Sequence, residues 1–324
     1  MVSGDVYCWG SNIHGQLGRP WATKGADGKY VRFDFTPTAT KVEGISNARS
    51  VTGGQDFTCA IKTDDTTYCW GANNQGQLGH EPKYNPEYFF YVEFSPVQVM
   101  TIGGSIGTVA TKQPLYAKQM ASGDGHSCAI GPDKSVSCWG KDNEGQLGNG
   151  WADVNGLYDV AVKIPNFTAT AISAKNATTC AIDEALTVKC WGYNQYSVAG
   201  KSDPQAPFYN VVPEPTSITD KDGNELTNEG GVAVGTTHAL AYALVSDPVQ
   251  WGEIIFGTGP TAYYNSAQLT VGLPLRPVEM AAGNYFSCAR MVEGQVYCWG
   301  KNDKFQITNA DKTGLSTKAI LIVL

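Results

Sequence analysis

The sequence predicts an all-β fold, a closed β-propeller, and three observations support this prediction. A Trp-Gly pair recurs six times along the 324 residues, at spacings of 48 to 69 residues. That period is too long for a helical-hairpin repeat and suits a four-stranded propeller blade with an added loop. Cysteine pairs accompany the repeats, and the composition is rich in glycine with only 16% charged residues. Six Trp-Gly units predict six blades.

The repeats extend along the whole chain, and we therefore expect residues 1–324 to form a single propeller domain. The tryptophans of the six pairs are Trp9, Trp70, Trp139, Trp191, Trp251 and Trp299. In each VYCWG-like segment the cysteine and the aromatic residues beside it alternate, so we expect them on opposite faces of a sheet. The last strand, 320–323, is expected to share a blade with the first hairpin and so close the ring.

Eight of the nine cysteines fall into four pairs whose members are ten residues apart. The pairs are Cys59 with Cys69, Cys128 with Cys138, Cys180 with Cys190, and Cys288 with Cys298. Polar turn residues lie between the two members, a pattern that predicts a β-hairpin with facing cysteines within disulfide distance. The fifth copy lacks both cysteines and has Leu240 and Gln250 in their places. This joint loss favours disulfides over buried free thiols, and zinc ligand pairs would be closer together.

Cys8 is the odd cysteine. The segment 1–10 closely matches 291–300, and in that later copy the partner Cys288 lies three residues before Met291. By analogy the partner of Cys8 would lie upstream of Met1. We therefore expect Cys8 to be unpaired here and the chain to be the C-terminal part of a longer protein. Paired cysteines predict an oxidising compartment: the extracellular space, the cell surface or the periplasm.

Several functional classes are disfavoured by the sequence. The net charge of −7 argues against nucleic-acid binding, and no apolar run is long enough for a membrane helix. His126 and His238 occupy the same repeat position, which favours a structural hydrogen bond over catalysis. The segment DKDGNE, 220–225, offers oxygen ligands, but its spacing does not fit a complete calcium loop. We therefore expect no enzyme activity, no cofactor and no metal.

The repeat resembles a known family. The run MASGDGHSCAI, 120–130, is followed by CWGKDNEGQLG, 138–148, and related copies recur along the chain. This combination is similar to the regulator of chromosome condensation repeat. The resemblance implies a β-propeller, usually of seven blades, so seven is the alternative to six. Family members include a nuclear exchange factor, a secreted β-lactamase inhibitor and bacterial surface proteins. The cysteine pairs resemble the exported bacterial branch.

The insertions that follow the GQLG position are rich in aromatic residues. Since this position is the same in each repeat, we expect the loops to emerge on one face of the ring. The candidate ligand-binding residues in them are Trp21, Tyr30, Tyr84, Tyr88, Phe89, Tyr91, Trp151, Tyr158, Tyr209, Tyr263 and Tyr264. Tyrosine and tryptophan supply contact area at little entropic cost. The alternative is that these rings cover the propeller's own end or pack the loops together.

These features predict a secreted or surface-displayed recognition module used in adhesion. Its loop face would bind a protein or glycan on a cell surface, without nucleic acid and without direct membrane insertion. One alternative is a proteinaceous enzyme inhibitor resembling the β-lactamase inhibitor propeller. Another is a lectin-like propeller whose aromatic rings stack on sugars.

Overall fold

The computed structural model describes residues 4–24, 26–27, 30–32, 34–87, 90–103, 111–153, 155–200, 211–243, 247–254, 262–269, 273, 277–303, 307 and 315–322. These residues form 26 β-strands and no helix, which confirms the all-β prediction. The described part of the chain therefore offers no helix that could span a membrane.

The strands have the following bounds. They are β1 (Tyr7–Ser11), β2 (Ala22–Lys24), β3 (Tyr30–Arg32), β4 (Phe35–Lys41), β5 (Ala48–Gly53), β6 (Phe57–Lys62), β7 (Thr67–Ala72), β8 (Tyr84–Asn85), β9 (Phe90–Gln98), β10 (Met100–Gly103), β11 (Thr111–Pro114), β12 (Gln119–Ser122), β13 (His126–Ile130), β14 (Ser135–Lys141), β15 (Leu157–Lys175), β16 (Thr178–Asp183), β17 (Val188–Tyr193), β18 (Val211–Ser217), β19 (Gly231–Val234), β20 (His238–Tyr242), β21 (Val249–Ile254), β22 (Ala262–Leu269), β23 (Pro277–Ala282), β24 (Phe286–Met291), β25 (Val296–Lys301) and β26 (Leu315–Ile322).

The chain divides into two compact units. The first comprises Met1–Asn143 and Asp153–Pro165, and the second Glu144–Ala152 and Asn166–Leu324. Sheets of the first unit run in the orders β1-β4, β5-β6-β7-β9-β8 and β12-β13-β14-β15. The second unit contains β15-β16-β17-β18, β19-β20-β21-β22 and β23-β24-β25-β26, with the last residues of β15 beginning the first of these. Four-stranded meanders of this kind are the blades of a propeller fold.

The predicted hairpin disulfides are present. Their Cα atoms are 4.0 to 4.1 Å apart, and the two cysteines of each pair face each other in the strand register. The fifth copy confirms the sequence alignment, because Leu240 lies opposite Gln250 where the other copies have cysteines. Cys8 is a free, half-buried thiol in this structure.

The Cys-Trp dipeptide connects neighbouring sheets. Trp139 is fully buried and belongs to the same core cluster as Cys59 and Cys69 of the preceding repeat. In the second unit, Trp251 is fully buried and belongs to the same cluster as Cys180 and Cys190. Adjacent residues of one strand thus pack toward different neighbours, as the alternation predicts. Each of these disulfides therefore contributes to the core on which the next tryptophan packs.

Each buried tryptophan also makes a hydrogen bond to the preceding repeat. In four copies the acceptor is a backbone carbonyl at the Gln position of the GQLG turn, 2.7 to 3.1 Å from the indole nitrogen. The donor and acceptor pairs are Trp70 with Gln16, Trp139 with Gln77, Trp191 with Gln146, and Trp251 with Val198. Because the acceptor belongs to the main chain, Val198 replaces glutamine in the fourth copy without loss of the bond.

Glycine is required after each tryptophan. At Gly140 the backbone adopts a φ of 98°, and a Cβ atom there would lie 2.5 Å from the carbonyl oxygen of Gly125. The strand register shifts at the corresponding points of five other strand pairs, where a β-bulge accommodates the tryptophan. The Trp-Gly repeat is thus a packing and bulge motif.

The terminal strand completes its own sheet. β26 pairs with β25, so the sixth Trp-Gly copy has a full set of four strands. At the other end, β1 pairs with β4. Closure into one ring through a shared blade, the blade number and the single-domain organisation stay predictions.

Candidate functional site

A pocket of about 250 Å³ lies in the first unit. The pocket is formed by turns of three successive repeats and by the start of β9. It therefore lies where neighbouring repeats meet. The lining residues are His14, Gln55, Asp56, Ala72, Asn74, Gln75, Gln77, Phe90, Tyr91, Val92 and Asp124. We call this the first-unit pocket. The scaffold supports part of the wall, because Asp56 comes just before β6, Asn74 and Gln75 come just after β7, and a disulfide links these two strands.

Two carboxylates line the pocket. Asp56 lies in the turn between β5 and β6, where its Oδ1 is 3.2 Å from Nδ1 of His14 and accepts a hydrogen bond from Gln16 at 3.4 Å. Asp124 lies in the corresponding turn between β12 and β13 and is half-buried. No lysine or arginine of the described residues lines the pocket. The pocket is therefore suited to positively charged or hydrogen-bond-donating groups.

Two amides of the lining are held by bonds within their own turn. Gln77 Oε1 accepts from the backbone nitrogen of Gln75 at 2.8 Å, and its Nε2 donates to Asn74 Oδ1 at 3.3 Å. Gln16 repeats the first of these bonds with His14. The glutamine of the GQLG turn therefore forms part of the pocket wall. The two carboxylates remain the strongest hydrogen-bond acceptors of the pocket.

Aromatic rings form the rim. Tyr84 and Tyr91 face each other across the β8–β9 hairpin, with ring centroids 5.4 Å apart. Phe90 packs edge-on to His14 at 5.6 Å. The side chains of Tyr84, Phe90 and Tyr91 are 51%, 45% and 43% exposed. This arrangement places apolar contact area beside the carboxylates, and we call these three residues the aromatic rim.

The structure brings only some of the predicted binding residues together. Tyr84 and Tyr91 meet at the aromatic rim, whereas Trp151 is 74% exposed in the second unit. Trp21 and Tyr158 are half-buried. Tyr30 lies in β3, and Tyr263 and Tyr264 lie in β22. Tyr88, Phe89 and Tyr209 lie outside the described residues.

Sequence reasoning missed the polar half of the pocket. His14, Asn74 and Gln75 lie inside the copies of the CWG to GQLG run, whereas the sequence places its candidate binding residues in the insertions after that run. Asp56 and Asp124 come from the G-x-x-[FH] turns one repeat apart, and their turns approach only in the folded chain. These turn residues differ between repeats whose other positions are similar, and this variation could have indicated a binding site.

The repeated histidines are buried. His238 Nε2 lies 2.6 Å from the Ser287 hydroxyl of the next repeat, and burial lowers the pKa of His238 to about 4. Burial likewise lowers the pKa of His126 to about 3. Both rings are therefore neutral at physiological pH, and the contact of His238 supports the structural interpretation.

The DKDGNE segment forms a self-contained turn. Asp220 Oδ1 accepts hydrogen bonds from the backbone nitrogens of Asp222 and Asn224, both at 2.9 Å. Glu225 instead pairs with Ser217 and Lys189. Among the described residues no group of three or more His, Cys, Asp or Glu side chains could hold a metal ion. The carboxylates of this segment thus stabilise a turn and its neighbouring strand.

A larger groove of about 450 Å³ lies elsewhere in the first unit. It is bordered by the β10–β11 hairpin, which pairs with β15 in parallel through Thr101 and Ala161. Ile102 and Tyr116 are exposed along it. The sequence did not predict this hairpin, because its short strands carry mixed polar and apolar residues without a clear alternation.

Comparison with known proteins identifies the class. Models of the Regulator of chromosome condensation (RCC1) repeat match residues 3–61 and 64–130, and also 48–77, 117–146 and 278–306. Together these matches cover more than half of the chain. The chain therefore belongs to the RCC1 repeat family, as the sequence resemblance predicts.

Curated relatives share about a quarter of their residues with this chain. Human E3 ubiquitin-protein ligase HERC2 is 25% identical over 316 residues, which are 93% of this chain and 6% of HERC2. The ultraviolet-B receptor UVR8 of Arabidopsis thaliana is 24% identical over 95% of this chain and 63% of its own length. The guanine nucleotide exchange factor SRM1 of Saccharomyces cerevisiae is 23% identical over 94% of this chain and 66% of its length.

Solved structures share the fold. Prp20p from Saccharomyces cerevisiae superposes with a TM-score of 0.72 at 19% identity, covering 98% of this chain and 74% of Prp20p. Human WBSCR16 gives a TM-score of 0.60 at 16% identity, covering 99% of this chain and 94% of that protein. The fold is thus an all-β propeller of the RCC1 type, with disulfides inside four of its hairpins.

Proposed function

We propose that this chain is a recognition module that binds a protein partner through the first-unit pocket and its aromatic rim. The observation that carries the proposal is the placement of two exposed aromatic rings, Phe90 and Tyr91, in the lining of an acidic pocket, with Tyr84 packed against Tyr91. Exposed aromatic clusters on rigid elements supply contact area with little loss of side-chain entropy. No chemical step is needed for this role.

The relatives support a binding role. The structure of Prp20p was described together with its binding to Gsp1p and histones, and UVR8 is named as a receptor. HERC2 is named as a ligase, but the region similar to this chain is only 6% of its length. A catalytic name for the whole of HERC2 therefore gives no reason to assign catalysis to this propeller.

We further propose that the module works outside the cytosol, secreted or displayed on a cell surface, and serves adhesion. The four disulfides support this location, because such bonds persist in oxidising compartments. The paired cysteines are also the feature that resembles the exported bacterial branch of the family. If the chain were instead an enzyme inhibitor, it would bind the enzyme through the same pocket and aromatic rim.

A glycan is the second candidate ligand. Tyr91 lies beside Asp56, Asp124 and Gln75 in the pocket lining, and sugar sites combine aromatic rings with carboxylates and amides. The internal bonds of Asn74 and Gln77 reduce the number of amide groups that a sugar could use. We therefore rank a protein partner above a glycan.

The test compares two exposed aromatic surfaces of the same unit. Labelled chain is applied to arrays of secreted proteins, of glycans and of intact cells. We expect Phe90→Ala with Tyr91→Ala to weaken binding at least tenfold, because hot-spot aromatic residues each contribute roughly 2 kcal/mol or more. Tyr116→Ala, in the larger groove, is the matched control and should bind normally. Equal binding by both variants would contradict the proposed site, and glycan-only binding would favour the lectin alternative.

A further inference from the structure

We propose that the first-unit pocket takes the side chain of a single arginine from the partner protein. This inference deepens the proposed recognition function and rests on it. It concerns the chemistry of the group that enters the pocket beneath the aromatic rim.

The charge of the pocket points to a cation. Asp124 is half-buried, and the described residues provide no hydrogen bond or ion pair to its carboxylate. Asp56 has only His14 and Gln16 as side-chain partners. A partly desolvated carboxylate without a counterion binds a guanidinium group more strongly than an exposed one does. The net charge of −7 adds attraction for a basic partner.

The rings distinguish arginine from lysine. Phe90 and Tyr91 border the same pocket as the two carboxylates. A guanidinium is planar, stacks on aromatic rings and donates two parallel hydrogen bonds to a carboxylate. The ammonium group of lysine is compact and more strongly hydrated, so it gains less binding energy from contact with the aromatic rings. Arginine can therefore contact the aromatic rings and the carboxylates of the lining at the same time.

The volume fits one side chain. Pockets for drug-sized ligands usually occupy about 300 to 1,000 Å³. The first-unit pocket, at about 250 Å³, falls below that range. Anionic ligands are disfavoured by its two carboxylates, and the described residues offer no cluster of three metal-binding side chains. A single arginine anchor, flanked by partner residues that contact the rim, satisfies size and charge together.

The experiment uses capped tripeptides as probes. Binding of acetyl-Gly-Arg-Gly amide to the full chain is measured by calorimetry, and the site is located from amide chemical shifts of Gln75, Gln77 and Asp124. The citrulline peptide is the neutral control of equal shape. We expect the arginine peptide to bind at least about tenfold more tightly than the citrulline peptide, because charge-assisted bonds are lost. The lysine peptide should lie between them.

Two variants make the test specific. Asp124→Asn should reduce arginine-peptide binding about tenfold without affecting the fold, because the residues that the structure describes give its carboxylate no hydrogen bond or ion pair. Asp222→Asn, which removes an equal charge from an exposed turn, should bind normally. Equal binding of the arginine and citrulline peptides, or unchanged binding in Asp124→Asn, would overturn the inference. Partner binding that needs Tyr91 but not Asp124 would overturn it while leaving the recognition function intact.

Discussion

At the scale of single residues, the cysteine and the tryptophan of one repeat motif contact different neighbouring repeats. Cys59 and Cys69 pack toward Trp139, whereas Trp70 donates its indole hydrogen to Gln16 of the preceding repeat. In the first copy Trp9 is 63% exposed, whereas the tryptophans of the other five copies are buried. The burial of the Trp-Gly dipeptide therefore depends on tertiary contacts, which local sequence does not encode.

Glu229 gives a residue-scale prediction. It lies between β18 and β19, its Oε2 has no hydrogen-bond partner among the described residues, and burial raises its pKa from 4.5 to about 7. The folded state thus binds the proton more tightly than the unfolded state. This contribution is fully retained below pH 4.5, and it is lost as pH rises toward 7. Above that, the buried charge destabilises the fold by up to about 3 kcal/mol.

We expect Glu229→Gln to flatten this dependence. The variant should unfold at a higher urea concentration than the wild type at pH 8 and at a similar one at pH 4, because glutamine carries no charge at either pH. Glu214→Gln changes an exposed carboxylate nearby in the chain and serves as the control. A stability gain that is equal at pH 4 and pH 8 would show that the charge of Glu229 is not the cause.

At the scale of elements, the disulfide hairpin is the unit that the sequence predicts best. Its two strands are joined by a short turn, so the ten-residue spacing alone determines which residues face each other. The β10–β11 hairpin contrasts with it, because its short strands of mixed polar and apolar composition give no comparable signal. Sequence therefore predicts the repeated element and misses the inserted one.

The fifth hairpin permits an element-scale prediction. Leu240→Cys with Gln250→Cys should form a fifth disulfide, because these residues face each other at the position of the other four pairs. The gain in stability should be below the roughly 3 kcal/mol expected for a loop of this size. The reason is that Gln250 Oε1 accepts a hydrogen bond from Trp299, which the substitution removes.

Mass spectrometry after alkylation of the denatured protein without reductant measures the outcome. The paired variant should show no more modified thiols than the wild type. Leu240→Cys with Val249→Cys is the matched control, because residues 240 and 249 do not face each other and both thiols should react. Two extra reactive thiols in the Leu240 and Gln250 variant would contradict the register.

At the scale of the whole molecule, the candidate site depends on contacts that cross repeats. The sequence predicts aromatic binding residues such as Tyr84 and Tyr91 from the position of the insertions after GQLG and from their aromatic content. It could not place Asp56 beside His14, since they are 42 residues apart, or predict that Asp124 joins the same pocket. Repeat proteins build surfaces from neighbouring units, so the site follows from the fold rather than from any single motif.

The cysteine content of the whole chain yields the prediction that bears on its compartment. If the module works in an oxidising space, eight of its nine cysteines are bonded in the protein taken from its native cells. Alkylation of the denatured protein without reductant, followed by peptide mapping, should leave those eight unmodified. Added reductant should expose all of them and lower the unfolding temperature, because each ten-residue loop loses its constraint.

The natural control is the fifth repeat, which has no disulfide and keeps its hairpin through Leu240 and Gln250. Hydrogen exchange of its backbone amides should therefore change less on reduction than exchange in the hairpin of Cys128 and Cys138. Eight reactive thiols in the freshly isolated native protein would contradict the oxidising compartment, and with it the secreted or surface-displayed role. Because the hairpins are alike in length and register, this comparison isolates the covalent bond from the fold that surrounds it.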